Sequence, residues 1–98
     1  MQRNEALKRL RRNTDALHGM GATSLYLFGS TALNEADNTS DIDLFIDYDP
    51  TRRFSLVDLV GIKQFLEETI PAGIEITTRD SLHPMLKDEI ERSAVRVF

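Results

Sequence analysis

The 98-residue chain contains no cysteine and no long apolar segment. Without cysteine it can form neither a disulfide nor a thiolate metal site, a composition compatible with a cytoplasmic protein. No apolar segment approaches the roughly 20 residues that a membrane helix requires, and the N-terminal residues lack the apolar core of a signal peptide. These absences predict a cytoplasmic protein that does not insert into a membrane.

A strongly basic composition is also missing. The net charge is −4 and the isoelectric point is near 5.1, so direct binding of nucleic acid is not expected. Apolar residues make up 41% of the chain and charged residues 29%, a balance typical of a globular domain rather than a disordered segment. The length suits a single small domain over residues 1–98, whose modest core a partner chain could help to stabilise.

Charged residues are unevenly distributed along the chain. Residues 35–49 contain six acidic residues and no basic one, and this acidic segment suits a cation site. The charged residues within 1–12 are all basic apart from Glu5, and they could contact a phosphate or an acidic partner, or simply form a solvated helix face. The basic residues of this segment are Arg3, Lys8, Arg9, Arg11 and Arg12.

Hydrophobic periodicity predicts an alternation of helices and strands, and therefore an α+β fold in which helices pack on a small mixed sheet. Ser55 and Asp58 are predicted to cap the helix that follows them. Residues 94–98 are compatible with either a short strand or an extended tail. The predicted order is α-β-α-β-α-β-α, with helix 2–18, strand 23–28, helix 30–36, strand 41–47, helix 55–69, strand 74–78 and helix 81–93.

Two aspartates on the second predicted strand are the strongest candidates for chemistry. Asp41 and Asp43 lie two residues apart and therefore project from the same face of a strand. The opposite face is apolar and consists of Ile42, Leu44 and Ile46. Neighbouring carboxylates repel each other and raise one pKa unless a cation lies beside them. Because oxygen ligands favour Mg²⁺ or Mn²⁺ over zinc, the pattern predicts a site for a divalent cation.

Two further features complete a predicted nucleotide site. Glu75 lies in the middle of the third predicted strand, where it could supply a third carboxylate or simply face solvent. Gly29 and Ser30 follow the first strand. A glycine there lets the backbone approach a phosphate, and the serine offers a hydroxyl and an N–H, although a plain turn is the simpler alternative. The combination predicts an in-line displacement at the α-phosphorus of a nucleoside triphosphate, with pyrophosphate leaving.

Residues 29–44 resemble the signature of the DNA polymerase β-like nucleotidyltransferase superfamily, and most of all that of its minimal nucleotidyltransferase (MNT) proteins. The segment reads Gly-Ser-Thr-Ala-Leu-Asn-Glu-Ala-Asp-Asn-Thr-Ser-Asp-Ile-Asp-Leu. The resemblance implies ATP as substrate and Mg²⁺ or Mn²⁺ as cofactor. The residues that it assigns to nucleotide binding are Gly29, Ser30 and Ser40. Those that it assigns to catalysis and metal binding are Asp41, Asp43 and Glu75.

MNT proteins of this size commonly act as antitoxins beside a HEPN-type ribonuclease toxin. Some of them inactivate the toxin by transferring AMP from ATP to one of its tyrosines. The resemblance therefore implies an antitoxin that adenylylates its toxin within a hetero-oligomer. A tRNA-modifying or antibiotic-modifying transferase uses the same core, but it usually carries a further substrate domain for which 98 residues leave no room.

Three departures from the family pattern leave a second hypothesis open. Thr31 and Leu33 stand where the family usually has arginines, and Glu75 stands where it usually has an aspartate. These changes weaken nucleotide binding more than they weaken the fold. The alternative is a catalytically weakened or inactive antitoxin that neutralises its toxin by binding alone. Its docking surface would be the basic N-terminal helix or exposed apolar residues such as Phe54 and Phe98.

Overall fold

The computed structural model describes residues 1–37 and 40–98. The helices are α1 (Arg3–Arg11), α2 (Thr14–Gly19), α3 (Gly29–Ala32), α4 (Leu56–Thr69) and α5 (Lys87–Ser93). The strands are β1 (Ala22–Phe28), β2 (Ile42–Tyr48), β3 (Ile74–Thr78) and β4 (Val95–Arg96), and a short 3-10 helix covers Arg79–Ser81. No helix within the described residues is long and apolar enough to cross a bilayer.

The strands form one mixed sheet in the order β3-β2-β1-β4. Strand β1 pairs antiparallel with both β2 and β4, whereas β2 and β3 run parallel to each other. Parallel neighbours need a crossover connection, and α4 supplies it between β2 and β3. These features confirm the predicted α+β fold, a small mixed sheet with helices packed on it.

The main core lies on one face of this sheet. Ile42, Leu44 and Ile46 alternate along β2 and are fully buried there, as the period of two predicts. Helices α1 and α4 belong to the same core through buried side chains such as Leu10 and Ile62. The side chains at the odd-numbered positions of β2 therefore project from the other face, where the predicted chemistry lies.

The strand predictions and the helix over 55–69 agree with the structure to within one residue. The Asp58 carboxylate accepts the Ser55 backbone N–H at 2.8 Å, which confirms the predicted capping pair of α4. The short helix over 30–36 is wrong at its end, because α3 stops at Ala32. Asn34 adopts φ 60, a left-handed conformation that ends a helix.

The prediction of a single helix over 2–18 is wrong, because the structure divides this segment into α1 and α2. The Asn13 side-chain amide donates to the Arg9 carbonyl at 2.9 Å, and the Asn13 backbone N–H donates to the Leu10 carbonyl at 3.0 Å. Asparagine competes in this way for the carbonyls of the preceding turn and favours a break. Since Leu10 and Leu17 are both buried on either side of the break, their spacing resembles that of one continuous helix.

The C-terminal segment also differs from the prediction of a helix over 81–93. Helix α5 begins only at Lys87, after the 3-10 helix and an irregular segment. Pro84 lacks a backbone N–H and keeps the preceding residue extended, so a helix cannot continue through it from residue 81. Residues 95–96 form β4 on the free edge of β1, so of the two alternatives for residues 94–98, a short strand or an extended tail, the structure shows the short strand. The observed order is therefore α-α-β-α-β-α-β-α-β.

Candidate active site

The predicted carboxylates lie near one end of the central strand β2 and of its parallel neighbour β3. Asp43 on β2 lies opposite Phe28, the last residue of β1, and on its other side it lies opposite Glu75 of β3. Asp41 precedes β2 by one residue rather than lying within the predicted strand. Strand β1, the antiparallel neighbour of β2, thus places the turn that follows it beside Asp43. Strand β3, the parallel neighbour, places Glu75 beside Asp43.

The three acidic side chains influence one another electrostatically. Asp43 is half-buried, whereas Asp41 and Glu75 are exposed. Burial raises the pKa of Asp43 above its usual value, and the negative charges of Asp41 and then of Glu75 raise this pKa further. A carboxylate in these surroundings is stabilised by a cation or a proton beside it. The site therefore favours positive charge at the position that the sequence predicts for a divalent ion.

Two glycines leave room for these carboxylates. Gly29 has φ +74, a conformation that other residues rarely adopt, and a Cβ at this position would overlap the Asp43 carboxylate. Gly73 lies one residue before β3, and a Cβ there would overlap the Asp41 carboxylate. The Gly73 carbonyl accepts the Ile42 N–H at 2.8 Å, which holds it beside β2. The positions of both aspartates therefore depend on the absence of a side chain opposite each of them.

The turn after β1 is ordered by its own backbone. The Gly29 carbonyl accepts the Leu33 N–H at 3.2 Å, and the Ser30 carbonyl accepts the Glu35 N–H at 2.8 Å. Thr31 is buried, and its hydroxyl has no hydrogen-bond partner in the part of the chain that the structure describes. Leu33 is 53% exposed. Neither position where the family pattern has arginine therefore provides positive charge beside the turn.

Ser40 lies next to Asp41 and already has a hydrogen-bond partner. Its hydroxyl accepts the Asp37 backbone N–H at 3.2 Å and donates to the Asp37 carboxylate at 3.2 Å. These bonds shape the approach of the chain to β2. A direct role of the Ser40 hydroxyl in nucleotide binding stays a prediction.

The donor atoms suit an open cation site. Within residues 1–37 and 40–98, no group of three or more histidine, aspartate or glutamate side chains is arranged to hold a metal ion. Asp41, Asp43 and Glu75 therefore do not form a closed cage. Mg²⁺ is usually held by one or two carboxylates together with substrate phosphates and water. The oxygen donors of the two aspartates, together with the raised pKa of Asp43, therefore fit an open Mg²⁺ site and not a closed one.

A second cluster on the same face of the sheet is centred on Arg79. Its guanidinium donates to both carboxylate oxygens of Asp47, at 2.8 and 3.0 Å, and to Glu91 of α5 at 2.6 Å. It also lies 4.8 Å from the ring centre of Tyr26 and 5.0 Å from that of Phe45. The hydrogen bond to Asp47 is the main cause that raises the pKa of Arg79. The guanidinium thus joins β2, the end of β3 and α5.

Gly73 and Arg79 are absent from the residues predicted for this face. Gly73 has a sequence signal, since a glycine directly before the strand that carries Glu75 indicates a close backbone approach. Arg79 follows β3, and the parallel register pairs Ile46 with Thr78, so it falls beside Asp47. The position of Arg79 beside Asp47 can therefore be predicted only once β2 and β3 are known to be parallel.

The surfaces predicted for docking require correction. Phe54 and Phe98 are half-buried and pack against the core, since the Phe54 ring stacks on Tyr48 at 5.0 Å and the Phe98 ring contacts His18 at 4.6 Å. They are therefore not exposed apolar residues. Three basic side chains of the N-terminal segment are also engaged within the chain. Their contacts are Arg3 with the Ala32 carbonyl, Arg9 with Glu5, and Arg11 with the Arg96 and Val97 carbonyls.

Relatives and solved structures share this architecture. A solved structure described as a putative minimal nucleotidyltransferase matches with a TM-score of 0.73 and 29% identity, over 97% of this chain and 95% of that chain. A crystal structure of a toxin-antitoxin with AMP-PNP matches with a TM-score of 0.71 over 90% of this chain and 72% of that chain. At 15% identity, the second likeness is one of fold alone.

Sequence comparison agrees with the fold. "Putative protein adenylyltransferase MJ0435" of Methanocaldococcus jannaschii is 42% identical over 81 residues, which span 83% of this chain and 83% of that protein. The family model for the nucleotidyltransferase domain matches residues 6–97, which include every carboxylate and glycine of the site. The chain therefore belongs to the nucleotidyltransferase domain family.

Proposed function

We propose that this protein is an antitoxin-type protein adenylyltransferase that transfers AMP from ATP to a tyrosine hydroxyl of a HEPN-type ribonuclease toxin. The observation that carries the proposal is the position of Asp43, half-buried beside the Gly29 turn and within the electrostatic influence of Asp41 and Glu75. The name of the M. jannaschii relative supports the reaction. The toxin-antitoxin crystallised with AMP-PNP, whose fold this chain shares, supports a toxin as partner and an adenine nucleotide as substrate.

The residues have distinct parts in this reaction. The backbone at Gly29 lets a phosphate approach closely, and Ser30 offers its hydroxyl and N–H to the triphosphate. Asp41 and Asp43 would hold Mg²⁺ or Mn²⁺, which when bound neutralises the triphosphate and lowers the pKa of the acceptor hydroxyl. Glu75, exposed on the neighbouring strand, would accept the hydroxyl proton or add a third carboxylate. The acceptor oxygen bonds to the α-phosphorus as the bond to pyrophosphate breaks.

A second candidate is an antitoxin that neutralises its toxin by binding alone. The observation in its favour is the turn after β1, where Thr31 is buried and Leu33 is apolar and exposed. Arg3 lies nearby, but its guanidinium donates to the Ala32 carbonyl at 3.3 Å. Weak electrostatic attraction for a triphosphate would leave the fold and its partner surface intact.

The decisive experiment incubates the protein with the toxin, labelled ATP and Mg²⁺, and then measures the mass of both chains. We expect the toxin to gain the mass of one adenylyl group per modified tyrosine. Asp43→Asn removes a predicted cation ligand and should lower the labelling rate at least about a hundredfold, as removal of a group that acts on the transition state does.

Asp15→Asn is the matched control, because Asp15 is exposed on α2 at a distance from the carboxylates in sequence. It should label the toxin at the rate of the unaltered protein. Labelling by Asp43→Asn at that same rate would contradict the assignment of the site. Neutralisation of the toxin without any mass change would instead favour the binding-only candidate.

A further inference from the structure

The short helix after β1 is contacted by a basic residue from a distant part of the sequence. Arg3, the first residue of α1, donates one guanidinium N–H to the Ala32 carbonyl at 3.3 Å. The Arg3 backbone N–H donates to the side-chain oxygen of Asn34 at 3.2 Å. Both bonds join residues at least 29 positions apart. They place the start of α1 beside α3, the helix that Gly29 and Ser30 begin.

The guanidinium of Arg3 keeps most of its capacity to bind an anion. A guanidinium has five N–H donors, and only the bond to Ala32 uses one of them within the described residues. Arg9 and Arg79 are held by carboxylates, whereas no aspartate or glutamate of residues 1–37 and 40–98 pairs with Arg3. The Arg3 side chain is half-buried, so part of it is accessible to a ligand. Its positive charge is therefore available to an anion.

The turn after β1 has no basic residue of its own. Thr31 and Leu33, which stand where the family pattern has arginines, are both uncharged. In the part of the chain that the structure describes, Arg3 is the only basic side chain that forms a hydrogen bond with residues 29–35. Ala32 lies two residues after Ser30, which corresponds to about 3 Å along a helix axis. Arg3 therefore brings a positive charge close to the predicted phosphate-binding residues.

We propose that Arg3 binds the triphosphate of ATP beside Gly29 and Ser30 and supplies the positive charge that Thr31 and Leu33 do not. This inference rests on the proposed function, because it takes ATP as the ligand. A guanidinium binds phosphate oxygens through charge-assisted hydrogen bonds, which are stronger than bonds to a neutral acceptor. Exchange of the Ala32 carbonyl for a phosphate oxygen is therefore favourable. Arg3 makes the start of α1 part of the nucleotide site.

Two substitutions of Arg3 separate the effect of its charge from that of its hydrogen bond. Arg3→Gln keeps a donor for the Ala32 carbonyl but removes the charge, and it should raise the dissociation constant of ATP with Mg²⁺ about tenfold or more. Arg3→Lys keeps the charge and should retain more of the affinity than Arg3→Gln. Arg12→Gln is the matched control, because it removes an equal charge from an exposed residue at the other end of α1 and should leave the affinity unchanged. Equilibrium dialysis measures this affinity without requiring any transfer reaction.

Ionic strength gives a second readout, which a purely structural role of Arg3 would not change. Because salt screens a contact between charges, the ATP affinity of the unaltered protein should fall more steeply with added salt than that of Arg3→Gln. Circular dichroism verifies that each variant is folded. Unchanged ATP affinity in Arg3→Gln would overturn the proposal. Equal losses in Arg3→Gln and Arg3→Lys, or in Arg3→Gln and Arg12→Gln, would overturn it as well.

Binding and labelling together distinguish the role of Arg3 from the proposed function. If Arg3→Gln weakens ATP binding as expected but the unaltered protein adds no adenylyl group to the toxin, the role of Arg3 stands and the proposed function is wrong. If the toxin is labelled and Arg3→Gln binds ATP as tightly as the unaltered protein, the proposed function stands and the role of Arg3 is wrong. An unaltered protein that binds no ATP would contradict both.

Discussion

The carboxylates of Asp41 and Asp43 occupy the space that a methyl group at residue 73 or 29 would fill. At the scale of single residues, the site thus depends on two glycines as much as on the acidic side chains. The two glycines differ in backbone conformation, since Gly29 adopts φ +74 and Gly73 has no positive φ. Backbone strain and steric overlap can therefore be separated by substitution.

Gly29→Ala is expected to lower the free energy of unfolding by about 1–3 kcal/mol, because alanine is strained at this φ and its methyl group meets Asp43. Gly73→Ala should change stability little, since Asp41 can move aside, but the displaced carboxylate should weaken binding of ATP with Mg²⁺. Urea unfolding and equilibrium dialysis measure the two effects. Gly19→Ala is the control, because a Cβ there meets no atom within 4 Å. Equal stability of the residue 19 and residue 29 variants would contradict this account.

The raised pKa of Asp43 makes its contribution to stability depend on pH. In the folded state its ionised form is disfavoured by burial and by Asp41 and Glu75. Stability should therefore fall as pH rises from the ordinary value of 3.8 through the raised pKa. Without divalent cations, Asp43→Asn should be more stable than the unaltered protein at neutral pH, and this difference should vanish at acidic pH. Denaturant unfolding at a series of pH values measures it.

Asp49→Asn is a control in which the effect on stability should have the opposite sign, because the pKa of Asp49 is lowered. Hydrogen bonds from the Thr51 hydroxyl and backbone N–H lower the pKa of Asp49, so its ionised form stabilises the fold. The residue 49 variant should therefore be less stable than the unaltered protein at neutral pH. This deficit should shrink as pH falls through the lowered pKa. Parallel curves for the two variants would contradict the electrostatic description of the site.

At the scale of secondary-structure elements, Arg79 joins α5 to the sheet. It lies at the end of β3 and forms ion pairs with Asp47 of β2 and Glu91 of α5, and each of the three side chains is about 30% exposed. The planar guanidinium also covers the rings of Tyr26 and Phe45. A lysine could not reproduce both the bidentate pair and the stacking.

Arg79→Met should lower the free energy of unfolding by about 1–3 kcal/mol, because it leaves two partly buried carboxylates without their partner. Loosening of α5 should appear as faster hydrogen exchange within Lys87–Ser93. Arg52→Met is the matched control, since that guanidinium is largely exposed and its 3.9 Å contact contributes little. If both variants unfold at the same denaturant concentration, Arg79 has no such joining role.

At the scale of the whole molecule, the sequence predicts the centre of the fold better than its two ends. Ile42, Leu44 and Ile46 alternate with Asp43 and the other residues of the open face. This period of two predicts β2 correctly because one face of the strand is buried and the other is not. The N-terminal helix was harder to predict because Asn13 breaks the backbone without interrupting the apolar spacing. The strand at residues 95–96 depends on a free edge of β1, which is a property of the sheet and not of the segment.

The residues of the candidate site that follow from the alternation of side chains along one strand could be predicted from the sequence. Those that depend on how two strands pair could not. Asp41 and Asp43 could be placed on one side of β2 from their spacing alone. The approach of Gly73 and Arg79 to that side required the parallel register of β2 and β3, which brings together residues more than thirty positions apart. An isolated sequence carries no direct signal for such a register.

The position of β2 between two partner strands has a consequence for how errors in folding would affect the candidate active site. Each side chain of this strand points to the face opposite that of its neighbours, so a shift of β2 by a single residue would turn Asp43 and Asp47 into the core and expose the isoleucines. Such a molecule would have to bury unpaired charge in place of its central apolar contacts. A slip by one residue is thereby strongly disfavoured, so the burial of the apolar face of β2 also keeps Asp43 on the open face.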